Sequence, residues 1–170
     1  TVLQEVFAGD IVGINDPGMF NIGDTLTMGE KFKFQGIPDF APEYFTRVIL
    51  MNPMKSKQLK KGLDQLSEEG ATQLYHPHST VAPILGVVGE LQFDVIKERL
   101  ESEYGTEVTL ERMSVFTARW IMGDKVECEK YAKELKGDCA SDKEGRLVCL
   151  FPNEYRMNLA MKNWESLTFA

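Results

Sequence analysis

Hydrophobic and polar positions follow one pattern before residue 44 and another after it. Up to that point, short apolar runs such as residues 11–14 alternate with the turn signals Gly9-Asp10, Asp16-Pro17-Gly18 and Gly23-Asp24. This spacing predicts short β-strands at the end of a β-barrel domain, followed by a proline-stiffened linker, within residues 1–43. An ordinary β-meander packed against the rest of the chain is the alternative.

From residue 44 onward, strand-like runs alternate with amphipathic helices. The stripe Leu59, Leu63 and Leu66 predicts the buried face of the first helix. The resulting β-α-β-β-α-β order is that of the ferredoxin-like plan. Strands are predicted over residues 45–51, 73–75, 84–88 and 107–111, and helices over residues 56–69 and 90–104.

The same order repeats in the remainder of the chain. Asp124 and Glu127 have the spacing of a capping box, and Asn153 can cap the last helix. The prediction is therefore an α+β fold, in which a two-layer α/β sandwich of ferredoxin-like halves, 44–112 and 113–170, follows the barrel strands. The second half is predicted to contain strands over 115–122, 138–141, 146–151 and 166–169. The inner face of its first helix is predicted to consist of Cys128, Tyr131, Ala132 and Leu135. The buried stripe of its second helix is predicted to consist of Met157, Ala160, Met161 and Trp164.

The segment 84–111 is the centre of the predicted fold. On its helix, Asp94, Lys97, Glu98 and Glu101 fall at i, i+3, i+4 and i+7, so the charges share one arc. The rest of the circumference is apolar and must be covered. The residues predicted to have structural roles in the turn and core are Gly86, Gly89, Leu91, Phe93, Ile96 and Leu100.

Composition narrows the class of protein. The 170 residues are 43% hydrophobic and 26% charged, as in a globular protein. A net charge of −7 argues against a DNA-binding or other general nucleic-acid-binding protein, although a local basic patch is compatible with it. No apolar run reaches the roughly 18 residues of a membrane span. Because the chain starts at Thr1 and has no charged-then-apolar leader, we expect a piece of a longer protein and no signal peptide. A monomer is also expected.

The candidate reactive side chains form no catalytic or metal-binding pattern. His76 and His78 are the only histidines, and a metal site would need Cys128, Cys139 or Cys149 as well. The cysteines lack CxxC spacing, which predicts reduced, buried thiols in a cytosolic protein. The carboxylate pairs Glu68-Glu69 and Glu127/Glu129 are predicted to be solvated. We expect no catalytic residues and no metal site.

Four lysines break the usual order of charges along a helix. Lys55, Lys57, Lys60 and Lys61 lie at the start of the helix predicted over residues 56–69, whereas its acidic residues lie at the end. The helix macrodipole favours the opposite order by about 0.3–1 kcal/mol per charge. A polyanionic partner would explain the arrangement. A solubilising surface is the alternative reading.

Several of these motifs resemble a known family. Gly86, Gly89-Glu90-Leu91, Phe93, residues 97–100 and Tyr104-Gly105 are similar to the strand–GEL–helix segment of translational GTPases. With Pro53-Met54-Lys55 and residues 116–120, the chain resembles the bacterial peptide chain release factor 3 family. The resemblance implies a barrel end followed by a third domain. It also implies a cytoplasmic, GTP-dependent factor that binds ribosomal RNA and protein and helps class I release factors dissociate.

The resemblance places the nucleotide site outside this chain. The sequence has no GxxxxGK[ST] phosphate loop and no Gly-Gly pair like that in the Gly-Gly-Gln tip of class I release factors. GTP or GDP and Mg²⁺ are therefore expected in a missing domain, and no cofactor in this one. Two alternatives stay open: the third domain of an elongation-factor-G-like translocase, or a ferredoxin-like regulatory module with a small-molecule pocket.

Overall fold

The chain divides into two compact units, residues 1–37 and 38–170. The computed structural model of the protein describes residues 5–17, 19–20, 24–32 and 41–170. Within these ranges, no helix is both long enough and apolar enough to cross a lipid bilayer.

The first unit forms neither strand nor helix in its described residues, so the barrel strands predicted there are not observed. Its apolar side chains lie in solvent; Ile11 is 101% and Met28 108% exposed. A short strand is stable only with partner strands and a face to bury, and these residues have neither. One predicted turn does form, where Asp10 N donates to Phe7 O at 3.0 Å. The predictions at Gly18 and Gly23, and most of the linker, lie outside the described residues.

The second unit is an antiparallel sheet with helices, which confirms the α+β class. In chain order its elements are β1 (Tyr44–Leu50), α1 (Ser56–Glu68), β2 (Gln73–Pro77), β3 (Ile84–Val87), α2 (Leu91–Ser102), β4 (Val108–Met113), β5 (Thr117–Met122), α3 (Lys125–Glu134), β6 (Cys139–Asp142), β7 (Leu147–Phe151), α4 (Glu154–Asn163) and β8 (Thr168–Phe169).

The eight strands follow the order β4-β1-β3-β2-β6-β7-β5-β8. The first four strands and the last four therefore have the same arrangement, and each set is crossed by two helices. The two halves join where β2 pairs with β6, with Tyr75 opposite Asp142. Predicted element ends differ from the observed ones by a few residues at most, because fraying and capping decide where hydrogen bonding stops.

All four helices cover one face of this sheet. Alternate strand residues point to the same face, and Leu74 in β2 and Cys139 in β6 both point toward the helices. One core lies under α1 and α2 and includes Leu63, Ile96 and Leu100. A second core lies under α3 and α4 around Tyr131, whose ring contacts Trp164 and Phe169 edge to face.

The opposite face of the sheet carries a third buried cluster, over which the described residues place no helix. Its members come from both halves and include Phe45, Tyr75 and Val148. Only residues 114–116 connect β4 with β5, a span of about 15 Å at most. In a flat sheet these strands would lie six spacings apart, about 29 Å. The sheet must therefore curl, and its concave face buries the third cluster.

Several residues predicted to be buried lie on the surface instead, among them Val88 after β3 and Val95 on α2. Leu91 is 80% exposed at the start of α2, whereas Phe93, Ile96 and Leu100 on the same helix are buried. Met161 is likewise exposed on α4. Both helices carry apolar residues on more than one side, so the pattern alone did not identify the face that meets the sheet.

Candidate nucleic-acid interface

The four lysines lie together at the N-terminal end of α1. Asn52 caps the short 3-10 turn before the helix, and its side chain accepts a hydrogen bond from Met54 N at 3.0 Å. This turn ends at Lys55, which is half-buried, and the chain then enters α1. Lys57, Lys60 and Lys61 are exposed on the first two turns of the helix.

The local field at this end of α1 is positive. Its first turn holds no acidic residue and its last turn no basic one. Within the described parts of the chain, none of the four lysines forms an ion pair. The N-terminal end of the helix dipole adds a partial positive charge. Side chains and helix end together can therefore hold anionic groups such as phosphates.

The middle of α1 packs closely against α2. A Cβ atom added at Gly62 would lie 2.8 Å from Leu100 Cδ2 and 3.0 Å from the Tyr104 ring. Glycine here lets the two helices approach, in spite of its low helix propensity. The acidic end of α1 is held as well, because Glu69 accepts from Arg99 Nη1 at 2.6 Å.

Arg99 also bonds to Glu103, through its Nε at 2.7 Å. Hydrogen bonds from Arg99 hold the pKa of the Glu69 carboxyl below its usual value, and they do the same for Glu103. All three side chains are partly exposed, so the network contributes little stability. Its consequence is positional, because the C-terminal end of α1 is tied to α2 while the lysine end stays open.

The turn that leads into α2 is fixed by its own side chains. Val88 N and Gly89 N both donate to Gln92 Oε1 at 3.0 Å. Glu90 forms a two-bond ion pair with Arg112 of β4, with distances of 2.8 and 3.1 Å. These bonds order the start of the segment at the protein surface, and Leu91 projects from it into solvent.

Asp142 is a buried carboxylate that sequence reasoning missed. Its Oδ1 accepts from Glu144 N and Arg146 N, and its Oδ2 accepts from Arg146 Nε at 2.6 Å and Trp120 Nε1 at 3.0 Å. Burial opposes its ionisation, but the hydrogen bonds from Arg146 and Trp120 outweigh it and lower the pKa of Asp142. The Arg146 guanidinium also stacks over the Trp120 ring, 4.6 Å from its centroid. This group closes the β6–β7 hairpin.

The histidines and cysteines are placed apart in the fold. His76 is exposed, and His78 Nε2 lies 2.9 Å from Ser141 Oγ. Cys139 and Cys149 are buried cross-strand partners beneath α3 and α4. Over the described ranges, no three His, Cys, Asp or Glu side chains are grouped to hold a metal ion. The carboxylates Glu68 and Glu69 are exposed, as the pattern indicated.

The remaining predicted residues are two glycines in different surroundings. A Cβ at Gly86 would lie 2.8 Å from Pro42 and 3.2 Å from Tyr75, so the fold requires glycine there. At Gly89 a Cβ would meet nothing within 4 Å, and its φ lies outside the left-handed region. The turn at Gly89 would therefore accept alanine.

Comparisons with known proteins complete the description of the site. The sequence model of one family, described as "Class II release factor RF3, C-terminal domain", matches residues 34–161. One solved structure similar to this chain is the crystal structure of a Thermus thermophilus protein designated ttk003000868, with 21% sequence identity and a TM-score of 0.40. That match covers 58% of this chain and 17% of the other chain.

Proposed function

This chain belongs to the family of class II release factor RF3 C-terminal domains, and from that premise we propose that it acts as the ribosome-docking region of a GTP-dependent release factor. Such a factor would help class I release factors leave the ribosome after termination, in the cytoplasm. The family match favours this reading over an elongation-factor-G-like translocase. The role of the chain itself is docking and transmission of a signal, not hydrolysis.

The observation that carries the docking role is the unpaired basic end of α1. Lys57, Lys60 and Lys61 are exposed without a carboxylate partner in the described ranges, in a protein with a net charge of −7. Their mutual repulsion and the helix dipole both disfavour this arrangement within the chain alone. Phosphate groups of ribosomal RNA would offset both the repulsion between the lysines and the unfavourable interaction with the helix dipole. We therefore assign the lysines, with Lys55, to RNA contact.

The fold assignment extends this proposal. The β-α-β-β-α-β succession in each half, together with its strand order, supports the ferredoxin-like halves that we propose. The exposed apolar side chains of the first unit, such as Phe7 and Ile14, fit a barrel strand that lacks its neighbours. We propose that residues 1–43 are the end of a barrel domain and that the rest is the third domain of the factor.

The isolated chain is expected to bind neither GTP nor GDP. The backbone cradle and lysine of a phosphate loop are absent from its sequence, and the nucleotide with its Mg²⁺ is proposed to sit in another domain. Titration calorimetry with either nucleotide should show no heat of binding. Micromolar affinity would contradict this placement of the nucleotide site.

The test of the proposed function replaces Lys57, Lys60 and Lys61 by glutamine. Ribosome binding should weaken, and the slope of log affinity against log salt should flatten by up to roughly 0.9 per lost phosphate contact. Thermal stability should stay equal or rise slightly, because dipole and like-charge penalties disappear. The measurement is ribosome pelleting of the full-length protein across a salt series, with melts of both forms.

A matched control makes the same charge change elsewhere. Lys125, Lys130 and Lys133 are exposed lysines on α3, and their triple glutamine variant should keep the wild-type salt slope. If both triple variants weaken ribosome binding equally, the effect comes from the change in net charge and not from the position of the α1 lysines. If the α1 variant binds ribosomes as the wild type does at every salt concentration, the lysines do not contact RNA and serve only as a solubilising surface.

A further inference from the structure

Two exposed apolar residues lie on the outer side of α2, and a third lies just before the helix. Leu91 and Val95 are one helical turn apart and lie on the side of α2 opposite the buried Phe93, Ile96 and Leu100. Val88 precedes them, directly after β3. We call Val88, Leu91 and Val95 the α2 stripe; their exposed fractions are 44%, 80% and 56%.

Gly89 adds an independent observation at the same place. Gly62 and Gly86 are required by packing, since a Cβ at either would come within 2.8 Å of another side chain. Gly89 has neither a crowded Cβ position nor a left-handed backbone. A glycine that the fold does not need, between Val88 and Leu91, leaves room for a second molecule to approach the backbone closely.

The segment is also held ready for contact. Gln92 fixes the backbone N–H groups of Val88 and Gly89, and Arg112 fixes Glu90. Little conformational entropy would be lost on binding, because this turn is already ordered by its own hydrogen bonds. Apolar side chains on an ordered backbone are suited to a protein partner with a complementary apolar side chain.

Charge identifies the kind of partner. The exposed carboxylates Asp94, Glu98 and Glu101 lie along one side of the stripe, and none forms an ion pair among the residues described. Lys97 is the one basic residue within this group of four. An RNA backbone would be repelled by such a border, whereas a basic protein surface would be attracted.

We propose that the α2 stripe, together with Gly89, docks a basic protein surface of the ribosome that presents an apolar side chain. This inference rests on the proposed ribosome interaction and assigns it a second contact, distinct in chemistry from the lysines of α1. The two helices pack side by side, so one helical layer would offer a basic end to RNA and an acidic, apolar strip to protein.

The first experiment measures ribosome pelleting of the full-length protein carrying Leu91→Ser with Val95→Ser, or Gly89→Ala alone. We expect roughly tenfold weaker binding for the double variant, with no flattening of the salt slope, since apolar contact is lost. Gly89→Ala should weaken binding while leaving the urea midpoint equal or higher, because alanine reduces the entropy of the unfolded chain.

Two controls match these changes. Val126→Ser alters an exposed valine on α3, and Gly137→Ala alters a glycine whose Cβ position is also open. Both should bind ribosomes like wild type. If the wild type binds and the stripe variants bind equally well, this inference alone is overturned. If the wild type does not bind at all, the proposed function fails with it.

A second experiment identifies the partner directly. A benzophenone amino acid in place of Leu91 is irradiated on purified ribosomes, and the cross-linked product is identified by mass spectrometry. The expected product is a ribosomal protein joined through a basic surface segment. Cross-links to ribosomal RNA or to a second copy of the factor, or no cross-link with binding intact, would each overturn the assignment.

Discussion

Leu100→Ala is expected to lower the free energy of unfolding by about 2–5 kcal/mol, whereas Leu91→Ala, on the same helix, should leave it within about 0.5 kcal/mol. Leu100 is fully buried on α2. Its Cδ2 is the atom nearest to the Cβ position of Gly62 on α1. The tight approach of the two helices limits how far the cavity can collapse, which favours the upper part of the range.

The measurement is urea unfolding of the 170-residue chain and of both variants, with slopes compared as well as midpoints. Ile96→Ala is a second core variant and should behave like Leu100→Ala, since Ile96 is buried in the same cluster. Equal losses at Leu91 and Leu100 would show that α2 is rotated from the orientation described. If neither Leu100→Ala nor Ile96→Ala lowers the free energy of unfolding, α2 does not pack in the core.

Asp142→Asn is expected to cost about 2–4 kcal/mol at neutral pH. An asparagine can keep the two backbone N–H bonds that Oδ1 accepts, but its NH2 group would then face the donors Trp120 Nε1 and Arg146 Nε. Two donors would lose their acceptor, and Arg146 would lose its charge partner. The loss of stability stays below that for a fully buried ion pair because the Arg146 side chain is more than half exposed.

The penalty should depend on pH in a defined direction. The pKa of Asp142 is lower in the folded protein than in the unfolded chain, so its stabilisation is complete above the unfolded value of about 3.9 and is lost as pH falls through the folded value. The difference between wild type and Asp142→Asn should therefore shrink in acid. Urea midpoints of both proteins across a pH series measure it.

Glu144→Gln is the matched control, because Glu144 pairs with the same arginine at the surface. It should cost no more than about 1 kcal/mol, as exposed ion pairs do. A penalty at Asp142 that is small, or constant from neutral to acidic pH, would mean that its hydrogen bonds do not hold the hairpin closed.

The candidate site was predictable in part. The reversed charge order that singled out Lys57 and Lys61 is visible in the sequence, because helix position and charge are both local properties. Whether a carboxylate from another segment neutralises them is not. Asp142 shows the same limit: Trp120 lies 22 positions before it in the sequence, and no local pattern links the two.

Local periodicity decided which segments of the second unit become helices and strands, and in what order. Alternation with period two marks strands, and the period of 3.6 residues marks helices such as α1, whose single apolar stripe also identified its buried face. These signals depend only on neighbours along the chain. They sufficed for the α+β class and for the repeated β-α-β-β-α-β order.

Contacts between segments that are distant in sequence decided how the halves join, how the sheet curls and which side of α2 is buried. Pairing of β2 with β6 joins the halves, and the short connection from β4 to β5 curls the sheet around Phe45 and Tyr75. The orientation of α2 was decided in the same way, because a helix apolar on two sides can bury either one. Packing against α1 and the sheet chose the side of Leu100 and left Leu91 in solvent, since only that side matches the space they leave.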